Sequence, residues 1–84
     1  MANKIAKSSW TVYILKCSDG SLYTGMTNDL PKRIKTHNAA KGGIYTRGRL
    51  PVKLVYQENL PTMSAALKRE HQIKSLSKSK KLAL

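Results

Sequence analysis

Apolar and polar positions along the chain fall into blocks of two different periods. "WTVYILKC", Trp10 to Cys17, and "SLYTGMT", Ser21 to Thr27, are rich in β-branched and aromatic residues, the composition of strands. Between them Asp19-Gly20 supplies the positive φ that a tight turn needs, so the two strands are expected to be antiparallel neighbours. In "NDLPKRIKTHNAAKGG" the period changes. At about 100° per residue, Leu30, Arg33, Ile34 and His37 share one sector of a helix. Asn28 or Asp29 is placed to cap that helix, Pro31 is tolerated in its first turn, and Gly42 and Gly43 are expected to end it. "IYTRGRLP" reads as a loop. "VKLVYQE" alternates as a third strand, which Asn59, Leu60 and Pro61 are expected to break. Thr62 then caps a second helix, "MSAALKREHQIKSL", whose inward stripe runs Met63, Ala66, Leu67, Glu70, Ile73.

This pattern predicts an α/β (α+β) fold, a three-stranded antiparallel sheet with flanking helices. Eighty-four residues allow one domain, placed at residues 10–84 behind a flexible basic arm at 1–9. No apolar run reaches the roughly 18 residues that span a bilayer, and "MANKIAKSS" has no apolar core of signal-peptide length, so a cytoplasmic location is expected. The single cysteine, Cys17, excludes an internal disulfide and a Cys-rich zinc site; it reads as a small buried hydrophobe or as a reactive thiol.

Charge changes the picture more than composition does. Sixteen Lys and Arg against four acids give a formal charge of +12, a field that draws the protein to polyanions at low salt. Nucleic acid is the natural partner, DNA first and RNA as the alternative. An anionic membrane would need a basic amphipathic helix with bulky apolar residues opposite, and "SKSKKLAL" is too short for that. Solubility alone needs far less charge.

The same scarcity of acids makes Glu70 informative. Asp19 serves a turn, Asp29 a helix cap, and Glu58 the end of a strand, whereas Glu70 interrupts the apolar face of a helix. A carboxylate buried there must be paired or bind a metal, unless it reaches solvent from the edge of the stripe. Arg33 or a nearby lysine is the available ion-pair partner. No repeat, heptad or Gly-rich phosphate loop is visible.

"TVY" at Thr11 to Tyr13 and "YTG" at Tyr23 to Gly25 together resemble the paired signature of the GIY-YIG nuclease superfamily. The order that follows strengthens the resemblance: a helix with Arg33 and His37 one turn apart, a third strand, then a helix bearing Glu70. The chain is similar to the small stand-alone bacterial proteins of this superfamily over roughly residues 10 to 82. Thr11 and Val12 depart from Gly and Ile of the first triplet, and Thr24 from Ile of the second.

The resemblance implies the element order β-β-α-β-α-α, with "SKSKKLAL" as the last helix. It implies a metal-dependent DNA endonuclease module of low sequence specificity, acting on structured or damaged DNA. Glu70 would hold one Mg²⁺ or Mn²⁺ ion and Arg33 would contact the scissile phosphate. Tyr13 and Tyr23 would line the pocket, with Tyr13 or His37 as the base. Without the resemblance both tyrosines read as half-buried strand aromatics, and His37 as a packing residue. Gly25 would keep side-chain atoms away from the phosphate. Tyr45, Arg47, Arg49 and Lys74 complete the nucleic-acid-binding set, Tyr45 with a base-stacking option. Met26 stands where many DNA-repair members carry a lysine, which removes one cation. A basic nucleic-acid-binding protein with this fold and little or no catalysis is the competing reading.

Overall fold

The computed structural model describes residues 9–84. The expected N-terminal arm lies, but for Ser9, outside the described residues. Strand β1 (Trp10–Lys16) is central and β2 (Leu22–Thr27) and β3 (Lys53–Leu60) flank it, in the sheet order β2-β1-β3. Both pairings are antiparallel. This position explains the unbroken apolar run "VYIL": Val12, Tyr13, Ile14 and Leu15 are all buried because helices cover both faces of the central strand.

Alternate residues of β1 feed two separate cores. Val12 and Ile14 pack with Ala66 and Ile73 of helix α3 (Met63–Lys74), joined by Trp10, Leu22, Met26, Tyr56 and Leu60. On the other face Tyr13, Leu15 and Cys17 pack with Val52, Tyr23 and Leu54, and with Leu30 and Ile34 of helix α1 (Leu30–Asn38). Cys17 is thus the buried small hydrophobe. Opposite the step from Ile14 to Leu15, β3 carries one extra residue, Val55, so that Leu54 faces the α1 layer and Tyr56 the α3 layer.

Asp29 caps α1 by accepting from the Lys32 N–H at 3.3 Å, with Pro31 in the first turn. The end of α1 corrects the sequence expectation. Helix geometry stops at Asn38, and the left-handed residue is Ala40 (φ 64°), not a glycine. The Lys41 N–H bonds the Thr36 carbonyl and the Ala40 N–H bonds the His37 carbonyl, both at 3.0 Å, which is the Schellman arrangement. Two backbone hydrogen bonds closing the end outweigh the side-chain preference at position 40.

A second correction follows. The expected loop "IYTRGRLP" opens with a one-turn helix, α2 (Ile44–Arg47), so the order is β-β-α-α-β-α-α. The third strand also runs on through Asn59 and Leu60. Asn38 ties the layers together, its side chain accepting from the Val52 N–H at 2.8 Å just before β3. Helix α3 starts at the Thr62 cap, whose hydroxyl accepts from the Ala65 N–H at 3.1 Å. Its stripe is narrower than the spacing suggested: Ala66 and Ile73 are buried, while Met63 and Leu67 are exposed, because a three-stranded sheet is too narrow to cover them. The short helix α4 (Lys78–Leu82), capped by Ser77, closes the fold. Among the described residues no helix is long and apolar enough to cross a membrane.

Candidate active site

The pairing register positions the first two site residues. Tyr13 lies directly opposite Gly25, and Leu15 opposite Tyr23, so both tyrosines project on the α1 face of the sheet. Their ring centroids are 6.4 Å apart. Helix α1 sends His37 into the same space, 6.1 Å from the Tyr13 ring and 5.2 Å from the Tyr23 ring. The Tyr13 phenol and His37 Nε2 are in hydrogen-bond contact at 3.1 Å, and both residues are fully buried. The other imidazole nitrogen, Nδ1, meets the Thr46 hydroxyl at 2.8 Å. Thr46, from α2, is buried as well.

Arg33 lies one turn before His37 on α1. Its Nε is buried with no hydrogen-bond partner, so a guanidinium donor is left over for an anion. Its neighbours determine the ionisation of the cluster. Burial raises the Tyr13 phenol above its ordinary range, opposed by hydrogen bonding and charge from Arg33 and reinforced by Tyr23 and Glu70. Burial also lowers the His37 imidazole, and the Arg33 charge lowers it further. His37 is therefore a neutral proton acceptor at pH 7. A groove of about 330 Å³ opens beside Arg33, lined by Thr27, Asn28, Asp29, Lys32 and Thr36.

Gly25 has a steric role within the tyrosine pair itself. A Cβ at position 25 would come 2.6 Å from the Tyr13 phenolic oxygen and 3.1 Å from the Tyr23 ring. Here the absent side chain makes room for two tyrosines. Gly42 serves His37 in the same way, since a Cβ there would overlap the imidazole and lie 2.7 Å from His37 Cα.

Tyr45 extends the aromatic row, 5.8 Å from Tyr23, with the Arg49 guanidinium 4.3 Å over its ring. Arg49 is already engaged, donating to Asp19 at 3.0 Å and to the Tyr45 carbonyl at 2.6 Å. That arginine orders the rim as much as it adds charge to it. Arg47 is exposed with no ion-pair partner among the described residues.

Glu70 comes from α3, the helix that covers the other face of the sheet, and its charge still acts on the Tyr13 phenol. Its carboxylate is largely covered, and Lys74 one turn on approaches it at 3.5 Å. The lysine bridge anticipated from the sequence therefore forms and the Arg33 bridge does not. Lys74, expected to bind nucleic acid, is engaged with Glu70. Among the described residues no cluster of three or more His, Cys, Asp or Glu could cage a metal. A single covered carboxylate suits a hard divalent ion that completes its shell with water and phosphate oxygens.

Met26 packs in the Val12/Ile14 core, so the thioether occupies apolar space. Glu58 does more than end a strand: it accepts from Tyr56 at 2.7 Å and from Arg69 at 2.8 Å. His71 is exposed. Sequence reasoning missed Thr46, Gly42 and the Asp19–Arg49 pair. Only the location of Thr46, nine residues after His37 and just past two glycines, hints that its segment folds back on the histidine.

A family model described as the GIY-YIG catalytic domain matches residues 9–83. The chain is 58% identical over 73 residues to a UPF0213 protein of Haloquadratum walsbyi, covering 87% of this chain and 82% of that protein. It is equally similar to a UPF0213 protein of Staphylococcus saprophyticus, 58% over 73 residues, covering 87% and 89%. Among solved structures, the solution structure of the UPF0213 protein of Bacillus halodurans is 48% identical with a TM-score of 0.55, covering 87% of this chain and 78% of that one. That of an E. faecalis protein is 38% identical with a TM-score of 0.59, covering 87% and 79%.

Proposed function

Because the chain belongs to the GIY-YIG catalytic-domain family, a family of nucleases, we propose that it is a divalent-metal-dependent DNA endonuclease module of low sequence specificity. The observation that carries this reading is the buried Tyr13–His37 contact beside a guanidinium with a free donor. Phosphodiester hydrolysis needs a water stripped of a proton, neutralisation of the phosphate charge, and support for the leaving oxygen. Tyr13 and His37 form a proton path, with the neutral imidazole as its end. Arg33 offers its unpaired Nε–H to a phosphate oxygen, and Tyr23 shapes the pocket wall. Glu70 would hold one Mg²⁺ or Mn²⁺, whose chemistry is to polarise the phosphate and acidify a bound water. Lys74 would give way, because an ammonium 3.5 Å from Glu70 competes with a cation.

The charge of +12 holds the polyanion, and Lys32, Arg47 and the groove beside Arg33 offer a path for its backbone.

The test is cleavage of labelled duplex, nicked, flapped, four-way and single-stranded DNA, and RNA, with Mg²⁺, Mn²⁺ or EDTA. Wild type is compared with Glu70→Ala purified identically. Metal-dependent cutting that the variant loses while still binding is the expected result. Equal traces of cutting in both proteins would instead favour a nucleic-acid-binding protein of this fold without catalysis, and tighter retention of RNA would name its ligand.

A further inference from the structure

We infer that Thr46 is a positioning residue, holding His37 in the tautomer that keeps its Nε2 lone pair aimed at the Tyr13 phenol. Two hydroxyls flank one ring: Tyr13 at 3.1 Å from Nε2 and Thr46 at 2.8 Å from Nδ1. A neutral imidazole accepts at one nitrogen and donates at the other, so only one of these hydroxyls can donate to it. The buried phenol is the more acidic donor, and its other polar neighbour, Arg33, has only N–H groups to offer. Nε2 therefore accepts from Tyr13, and the ring proton sits on Nδ1 and is donated to the Thr46 oxygen.

The groups around the ring fit this assignment. Tyr13 faces it from β1, Tyr23 from β2, Arg33 from its own helix and Thr46 from α2, and none is a carboxylate. Gly42 leaves the space in which the ring can take this orientation. Thr46 thus orients the ring without placing a negative charge beside it, so burial keeps His37 neutral until it is needed.

In the reaction the proton balance is closed. The Tyr13 O–H bond breaks as the Nε2–H bond forms, giving a phenolate beside Arg33 and an imidazolium that still donates from Nδ1 to Thr46. The phenolate then takes a proton from the attacking water, whose oxygen pair forms the bond to phosphorus as the ester bond from phosphorus to the leaving oxygen breaks with its electron pair. The imidazolium gives its Nε2 proton up through solvent to that oxygen, which restores Tyr13 and neutral His37. This part rests on the nuclease reading above; the tautomer assignment does not.

The experiment is long-range ¹H–¹⁵N correlation of the imidazole rings at neutral pH, read on wild type, Thr46→Val and Thr46→Ser. The chain has two histidines, and exposed His71 serves as the internal reference. The expected wild-type pattern is a protonated Nδ1 and an unprotonated Nε2 for His37. Thr46→Val should shift population to the Nε2–H form, and Thr46→Ser should restore the wild-type pattern. If wild type is cleavage-active, Thr46→Val should cut roughly tenfold to a hundredfold slower, short of the ~10²–10⁴ that an entire general base supplies. Its pH–rate profile should move while its DNA affinity does not. A wild-type Nε2–H ring, or a tautomer indifferent to Thr46→Val, overturns the inference. Wild type without cleavage but with the predicted tautomer would overturn the nuclease reading alone. Should Thr46→Val fail to fold, the wild-type and serine spectra still decide.

Discussion

The Tyr13 phenol occupies the volume that a side chain at Gly25 would fill. The two residues are directly paired across β1 and β2, and a Cβ at 25 would stand 2.6 Å from the phenolic oxygen. Tyr13 cannot swing aside, because it is fully buried and tethered to His37. Gly25→Ala should destabilise the fold by about 1–3 kcal/mol, the usual range for overpacking. It should also slow cleavage by roughly a hundredfold by displacing the phenol. Urea melts and single-turnover rates measure both; a variant with wild-type stability and rate would refute this role.

The end of α1 separates two small residues by function. Ala40 adopts the left-handed conformation at φ 64° without being glycine, so Ala40→Gly should stabilise the protein by roughly 1 kcal/mol. Gly42 is different, since its missing Cβ leaves room for the His37 imidazole. Gly42→Ala should therefore destabilise and broaden the His37 signals. Thermal melts of the two variants should move in opposite directions from wild type, and shifts of the same sign would count against the account.

His37 should set the acid side of stability. Burial and then Arg33 lower its imidazole below the ordinary 6.5, so the unfolded chain takes up a proton at a higher pH than the folded one. Stability from this group is complete above about pH 6.5 and is lost as pH falls below it. The lowered carboxyls act later: Asp19, held by Ser21 and Arg49, and Glu58, held by Arg69 and Tyr56, contribute in full above the ordinary values 3.8 and 4.5 and lose that contribution as pH falls from there through their lowered folded values. At the alkaline end burial raises Tyr13 above 10.0, so its contribution is complete below that pH and lost as pH rises past it. Urea denaturation at pH 7.5 and 5.5 should show a decline in wild type that His37→Gln flattens. An identical decline in the variant would assign the loss elsewhere.

Much of the fold was legible because the controlling interactions are local. The Asp19-Gly20 turn, the Asp29 and Thr62 caps and the two-period pattern each act within a few residues, and all appear where the residues indicated. Tyr13, Tyr23, Arg33 and His37 also lie on one side of the sheet, a grouping that the family resemblance implied and the two-period pattern alone did not. What the pattern concealed depends on contacts between distant segments. Helix α2 exists beside a histidine nine residues earlier, and the partner of Arg49 is thirty residues upstream. Glu70 was visible as an anomaly of its stripe, yet nothing in its spacing could tell Lys74 from Arg33 as its partner. Met63 and Leu67 misled for a different reason: helical period reports which residues share a face, not how wide the surface beneath them is.

The extra residue in β3 bears on how the molecules behave when crowded along a polyanion. A regular outer strand presents an unbroken row of amides and carbonyls, a template on which a second copy could add its own strand. In this protein Val55 interrupts that row and twists the strand locally. Neighbours gathered on a polyanion thus meet a broken edge at β3, and that strand does not by itself template a shared sheet.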